Sequence, residues 1–172
     1  EKTPWHLYYT DLYRATDPAV RIIHMLRDPV DQVASLVDAG SRHGEAFRQG
    51  SVSSAWKRWK NEYTLQRAFI GRPGHAFVCY EDLVAKPEET LRPVLSFLSL
   101  PWDDAVLAFQ DRASGVIASG EAWKNRNTGA LSKSNKAEKV LDLTDREWLR
   151  RQAAKFPLTP FREAKPVPPL AQ

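Results

Sequence analysis

Arg21-Ile-Ile-His-Met-Leu-Arg-Asp-Pro-Val-Asp-Gln-Val-Ala-Ser35 is the stretch on which the fold turns. Its opening run, Arg21–Leu26, is short, apolar and β-branched at the centre, and predicts a buried strand. Asp28 is a natural N-cap and Pro29 suits the first helical position. Val30, Val33, Ala34 and Val37 then recur at helical spacing, so a helix is predicted to about Ala39, with Gly40 ending it. A strand feeding a helix is the repeating unit of a parallel sheet, and in open α/β sheets ligands bind beyond the carboxyl ends of the strands. Arg27 stands at such an end and Ser35 lies within the following helix. A guanidinium there can clasp a phosphate bidentately, and a hydroxyl can add a neutral hydrogen bond. The alternative is Arg27 paired with Asp28 or Asp31, and Ser35 facing solvent.

Further along, Ser51–Ile70 repeats Trp56, Trp59, Tyr63 and Phe69 on what reads as a longer amphipathic helix. Gly71-Arg-Pro-Gly74 is a turn, and His75–Tyr80 is a second buried strand candidate. Pro87 opens another helix, with Glu88 and Glu89 in its first turn and Leu91, Val94, Leu95 and Leu98 on its apolar face. Asp103–Gln110 reads as a short helix, Ser114–Asp142 as a long loop, and Thr144-Asp-Arg-Glu147 as a capping box opening a helix to about Lys155. Pro157–Gln172 holds five prolines and is expected to be an extended, poorly ordered tail, which leaves residues 1–156 as the folded domain. Two strands are too few for a free-standing sheet, so part of the sheet is expected to lie outside this chain.

At 172 residues, 42% hydrophobic and 27% charged, the chain has the size and composition of one globular domain. No apolar run approaches a membrane span. Its one cysteine, Cys79, excludes an internal disulfide framework and a Cys-built zinc site. His6, His24, His43 and His75 show no ligand spacing, and His24 reads as a packed core histidine. The net charge of +4 is uneven. Residues 1–119 carry 14 Lys/Arg against 15 Asp/Glu, whereas residues 120–172 carry 11 against 6. The cations of Ala122–Val140 form either a solvated surface loop or a patch that meets phosphate.

The quoted stretch resembles the 3′-phosphate-binding motif of sulfotransferases that use 3′-phosphoadenosine 5′-phosphosulfate. The resemblance extends to Val78-Cys-Tyr-Glu-Asp-Leu83 with Pro87-Glu-Glu-Thr-Leu and Phe97-Leu98, and it covers most of residues 1–112. It implies that Arg27 and Ser35 hold the donor's 3′-phosphate and that Tyr80 lies near the adenine. Glu1-Lys2-Thr3-Pro4 resembles the Glu-Lys-Ser/Thr-Pro segment of Golgi-type and bacterial members. Carried over, Glu1 would take the proton from the acceptor hydroxyl, and Lys2 would offset charge on the leaving phosphate. The alternative for both is a frayed, charged terminus. Cytosolic members place a catalytic His two residues after that Lys. Pro4 stands there, which leaves His6 as a spare candidate. A late loop of the family closes over the donor. Trp123–Gly129 matches it best, with Lys124 and Arg126 as the contacts, and Ser114 would face the adenosine.

The resemblance implies an α/β, three-layer P-loop NTPase-like fold with a parallel sheet, and transfer of a sulfuryl group to a hydroxyl- or amine-bearing acceptor without a metal. None of the eight glycines has the setting of the family's phosphosulfate loop, so the chain is expected to be the C-terminal part of such an enzyme. A bacterial-type member would be cytoplasmic; an anchored one would lie in the Golgi lumen. Two rivals remain at this point. One is a non-catalytic nucleotide-binding remnant of the same fold, and the other is a nucleic-acid-binding domain resting on the basic tail. The latter is disfavoured by the few interleaved aromatics.

Overall fold

The structure, a computed structural model, describes residues 4–43, 51–108 and 135–169. A 3-10 turn, Pro4–Tyr9, runs into helix α1, Thr10–Thr16. Strand β1, Ile22–Leu26, feeds α2, Pro29–His43, and α3 follows over Val52–Arg67. Strand β2, His75–Cys79, runs directly into α4, Tyr80–Ala85, and then α5, Pro87–Phe97. After a single 3-10 turn at Asp104–Val106 come α6, Lys136–Val140, α7, Leu143–Ala153, and α8, Thr159–Glu163.

β1 and β2 pair in parallel, with Ile22 opposite His75 and Leu26 opposite Cys79. Both strands therefore end side by side, and each hands over to a helix at the same end of the sheet. Among the described residues the sheet has these two strands only. The result is a mixed α/β arrangement around a small parallel sheet. Gly74, just before β2, has φ +80°, and a Cβ there would sit 1.7 Å from Nη1 of Arg14 and 3.0 Å from the carbonyl of Val20. Glycine is required at that approach, because Arg14 donates to the Val20 carbonyl at 2.8 Å across the same turn.

One face of the sheet carries Ile22, His24 and Leu26 beside His75, Phe77 and Cys79. Leu26 and Cys79 belong to the main core with Val33 and Ala34 of α2, Trp56, Trp59 and Tyr63 of α3, Leu149 of α7 and Phe161 of α8. Trp56 and Trp59 stack at 5.0 Å, and Phe156 meets Trp56, Trp59 and Tyr63 edge-on. The expected aromatic core face of α3 is thus in place, and Trp148 packs against it half-buried. On the other face Ala76 and Val78 are buried beside α5, whose Val94 and Phe97 are buried too. Ile23 and Met25 share that face but stay 36% and 50% exposed. The expectation that β1 is buried therefore holds for one face only.

Several boundaries differ from expectation for identifiable reasons. α2 passes Gly40 and ends at His43, held from outside along its length: Lys136 pairs with Asp38 in its second half, and the Ala137 N–H donates to Asp31 Oδ1 in its first turn at 3.0 Å. Asp142, not Thr144, caps α7, its Oδ1 accepting from the Asp145 N–H at 2.8 Å. Part of the expected 114–142 loop is the helix α6. The expectation of a poorly ordered tail fails over residues 157–169. There Pro160 sits in the first turn of α8, Phe161 is 1% exposed against Tyr63 and Phe77, and Val167 exchanges hydrogen bonds with Gly74 and His75.

Candidate functional site

Arg27 follows directly on Leu26 at the carboxyl end of β1, and Tyr80 follows directly on Cys79 at the carboxyl end of β2. Parallel pairing in register brings the two together, with the guanidinium carbon 4.9 Å from the centre of the Tyr80 ring. Asp28 opens α2 as the sequence predicts, its Oδ1 accepting from the N–H groups of Val30 at 2.9 Å and Asp31 at 3.1 Å. Ser35 lies nearly two turns into α2, on the face turned toward the strand ends. Arg27, Ser35 and Tyr80 line one open pocket of about 300 Å³ together with Met25, Leu26, Gln32 and Leu36. That volume is at the lower limit of small-molecule sites, which run from roughly 300 to 1,000 Å³.

Among the described residues, the one charged side chain lining the pocket is the cation Arg27. Arg27 is partly buried and faces Asp31 at 3.6 Å, an ion pair outside hydrogen-bonding distance. Its Nε is buried and has no hydrogen-bond partner among the described residues. The sequence alternative of an Arg27–Asp31 pair is thus present without consuming the guanidinium's donors. Asp28 is committed to the helix cap instead. An unpaired donor of a charged group in a buried position is costly, by about 1–3 kcal/mol, and is satisfied by an acceptor such as a phosphate oxygen. The residues present therefore fit a phosphate.

Of the seven residues expected at the site, the structure brings Arg27, Ser35 and Tyr80 together. Glu1, Lys2, Lys124 and Arg126 lie outside the described residues, as does Ser114. Gln32 and Glu81 were missed. Gln32 stands one helical turn before Ser35, so the i, i+3 spacing alone could have put it on the same face. Glu81 accepts the Asp28 N–H at 2.8 Å on Oε1, a contact visible only once the strand ends are known to be neighbours.

Other ionisable groups lie apart from the pocket or are inert. Burial pushes the Cys79 thiol up to about 11, which keeps it protonated and unreactive at neutral pH. His24 and His75 form a buried pair, Nε2 to Nδ1 at 2.8 Å, stacked with Phe69. Among the described residues no group of His, Cys, Asp or Glu is placed to hold a metal, and no helix is long and apolar enough to cross a membrane.

Comparison with known proteins agrees with this geometry. Residues 1–104 match the model of the Sulfotransferase family. A protein-tyrosine sulfotransferase of Drosophila melanogaster is 30% identical over 128 residues, covering 67% of this chain and 26% of its own length. Protein-tyrosine sulfotransferase 1 of Danio rerio is 32% identical over 163 residues, 89% of this chain and 41% of its own. An uncharacterized protein of Aquifex aeolicus (strain VF5) is 27% identical over 117 residues, covering 63% of this chain and 15% of its own. The chain thus spans less than half the length of each of these curated relatives. No solved structure gives a significant match.

Proposed function

Because the chain belongs to the sulfotransferase family, we propose that it carries the 3′-phosphate-binding half of a site that transfers a sulfuryl group from 3′-phosphoadenosine 5′-phosphosulfate to an acceptor. The observation that carries this reading is the convergence of Arg27, Ser35 and Tyr80 on one pocket at the carboxyl ends of two parallel strands. In it the Arg27 guanidinium, with its unpaired Nε, takes the 3′-phosphate, and the Ser35 hydroxyl adds a neutral hydrogen bond. Tyr80, already stacked on Arg27, presents its ring toward the nucleoside. The surrounding architecture is proposed to be the three-layer P-loop-like fold, with the sheet extended beyond the strands described.

The donor supplies an activated sulfuryl group; the chain's own residues orient it and manage protons. Glu1 is proposed as the base that takes the acceptor's proton, and Lys2 as the cation that offsets charge on the departing phosphate. Lys124 and Arg126 are proposed to close over the 3′-phosphate from the late loop. The acceptor is a hydroxyl or an amine. Two relatives bear the name protein-tyrosine sulfotransferase, so a tyrosine hydroxyl is the acceptor to assay first.

Calorimetric titration of the natural full-length protein with adenosine 3′,5′-bisphosphate and with AMP tests the donor assignment. The bisphosphate binds at least a hundredfold tighter, and Arg27→Ala removes most of that preference, in line with about 1.4 kcal/mol per tenfold. Equal affinities for the two nucleotides in the unsubstituted protein overturn the assignment.

A further inference from the structure

We propose that Glu81 is a positioning residue for the 3′-phosphate site, tying the end of β1 to the end of β2 so that the Arg27 guanidinium stays over Tyr80. This inference rests on the reading of Arg27 as the phosphate ligand. Two contacts join residues 27–28 to residues 80–81. One is the Asp28 N–H donating to Glu81 Oε1 at 2.8 Å, and the other is the Arg27 guanidinium lying 4.9 Å from the Tyr80 ring centre. The strand–helix turn is therefore held from both sides. The Asp28 carboxylate holds it from within α2, and the Glu81 carboxylate holds it from across the sheet.

The same junction contains both buried side-chain polar atoms that have no hydrogen-bond partner among the described residues, Nε of Arg27 and Oε2 of Glu81. Buried polar groups are normally satisfied, and exceptions cluster where a structure keeps a group for a ligand. Glu81 thus uses one oxygen to hold the backbone, and its other oxygen has no hydrogen-bond partner among the described residues. An arginine–phosphate pair depends on the orientation of the guanidinium fork, so releasing the Asp28 N–H frees the peptide that sets that orientation. The loss falls on the 3′-phosphate and spares the rest of the nucleotide.

Titration of the natural full-length protein with adenosine 3′,5′-bisphosphate and with AMP, in Glu81→Met and Glu81→Gln, tests this. Met fills similar space without an acceptor, so Glu81→Met weakens bisphosphate binding at least about tenfold and leaves AMP within about twofold. Gln retains an oxygen for the Asp28 N–H and stays within about twofold of the parent for both ligands. Equal weakening of both ligands in Glu81→Met, or no weakening, overturns the proposal. Should Glu81→Met fail to fold, hydrogen exchange at the Asp28 amide of Glu81→Gln decides. The proposal stands if the preference for bisphosphate follows that amide's protection, and falls if the two part. Arg27→Ala separates the two levels. If Arg27→Ala loses the preference and Glu81→Met keeps it, only the role of Glu81 fails; if Arg27→Ala keeps it, the site reading itself fails.

Discussion

Mild acid should destabilise this fold through one buried contact, the His24–His75 pair. The imidazoles face each other at 2.8 Å, Nε2 to Nδ1, inside a stack with Phe69. One nitrogen donates and the other accepts, which requires that both rings not be protonated at the contact. Two protonated rings would oppose N–H to N–H. Burial lowers His24 from 6.5 to about 4, with His75 adding to the effect. Burial likewise lowers His75 from 6.5 to about 4, helped by Arg14 and Arg72 and opposed by Asp11. A histidine whose folded value is depressed is fully stabilising above the unfolded value, and the unfolded chain takes up its protons first as pH falls. Stability is therefore lost between pH 6.5 and 4. From pH 7 to pH 5 linkage gives on the order of 2 kcal/mol for the pair, whose rings titrate together across their shared contact. That is an appreciable part of an ordinary domain's margin of roughly 5–15 kcal/mol. Urea unfolding at pH 7 and pH 5 measures it, with His24→Leu/His75→Phe as the reference that retains every other titrating group. The double variant should lose about 1 kcal/mol or less over the same interval. A double variant as acid-sensitive as the parent refutes the assignment of the loss to this pair.

Two further predictions concern the frame around the site. Phe161→Ala removes a ring that is 1% exposed between Tyr63 and Phe77, and should cost about 3–5 kcal/mol in urea unfolding. A cost below about 1 kcal/mol would show that α8 does not pack in solution. Gly74→Ala places a methyl group against Arg14 at positive φ, and should lower stability by at least about 1–2 kcal/mol. Gly71→Ala, at φ +77° with open space around it, bears only the backbone part of that penalty and serves as its control.

Much of the site could be read from local chemistry. Asp28-Pro29 marks a helix start on any chain, and the Arg27-to-Ser35 spacing survives folding because it spans one turn and one helix. What escaped reading is tertiary. Glycine at position 40 costs a helix about 1 kcal/mol, yet α2 continues, with Lys136 of α6 gripping Asp38 just before it. α4 follows a strand with no side-chain cap at Cys79, and α6 is five residues long, too short for any period to show. The prolines of the tail suggested disorder because composition is blind to a partner. Phe161 finds one, and Val167 borrows the backbone of β2. Glu81 was invisible for the same reason, since its contact joins residues 53 apart in the chain.

The bridge at Val167 gives the sheet a direction. Its N–H and carbonyl engage His75 and Gly74 at the start of β2, antiparallel to it, whereas β1 pairs with β2 alone among the described residues. The C-terminal segment thus occupies the outer edge of β2 at its start. The outer edge of β1 pairs with no strand among the described residues, and Ile23 and Met25 are half bare on one face of the sheet. β1 is also the strand whose Met25 and Leu26 line the pocket with Arg27 and Ser35. A substitution that displaces β1 therefore moves the pairing with β2 and the lining of the pocket together.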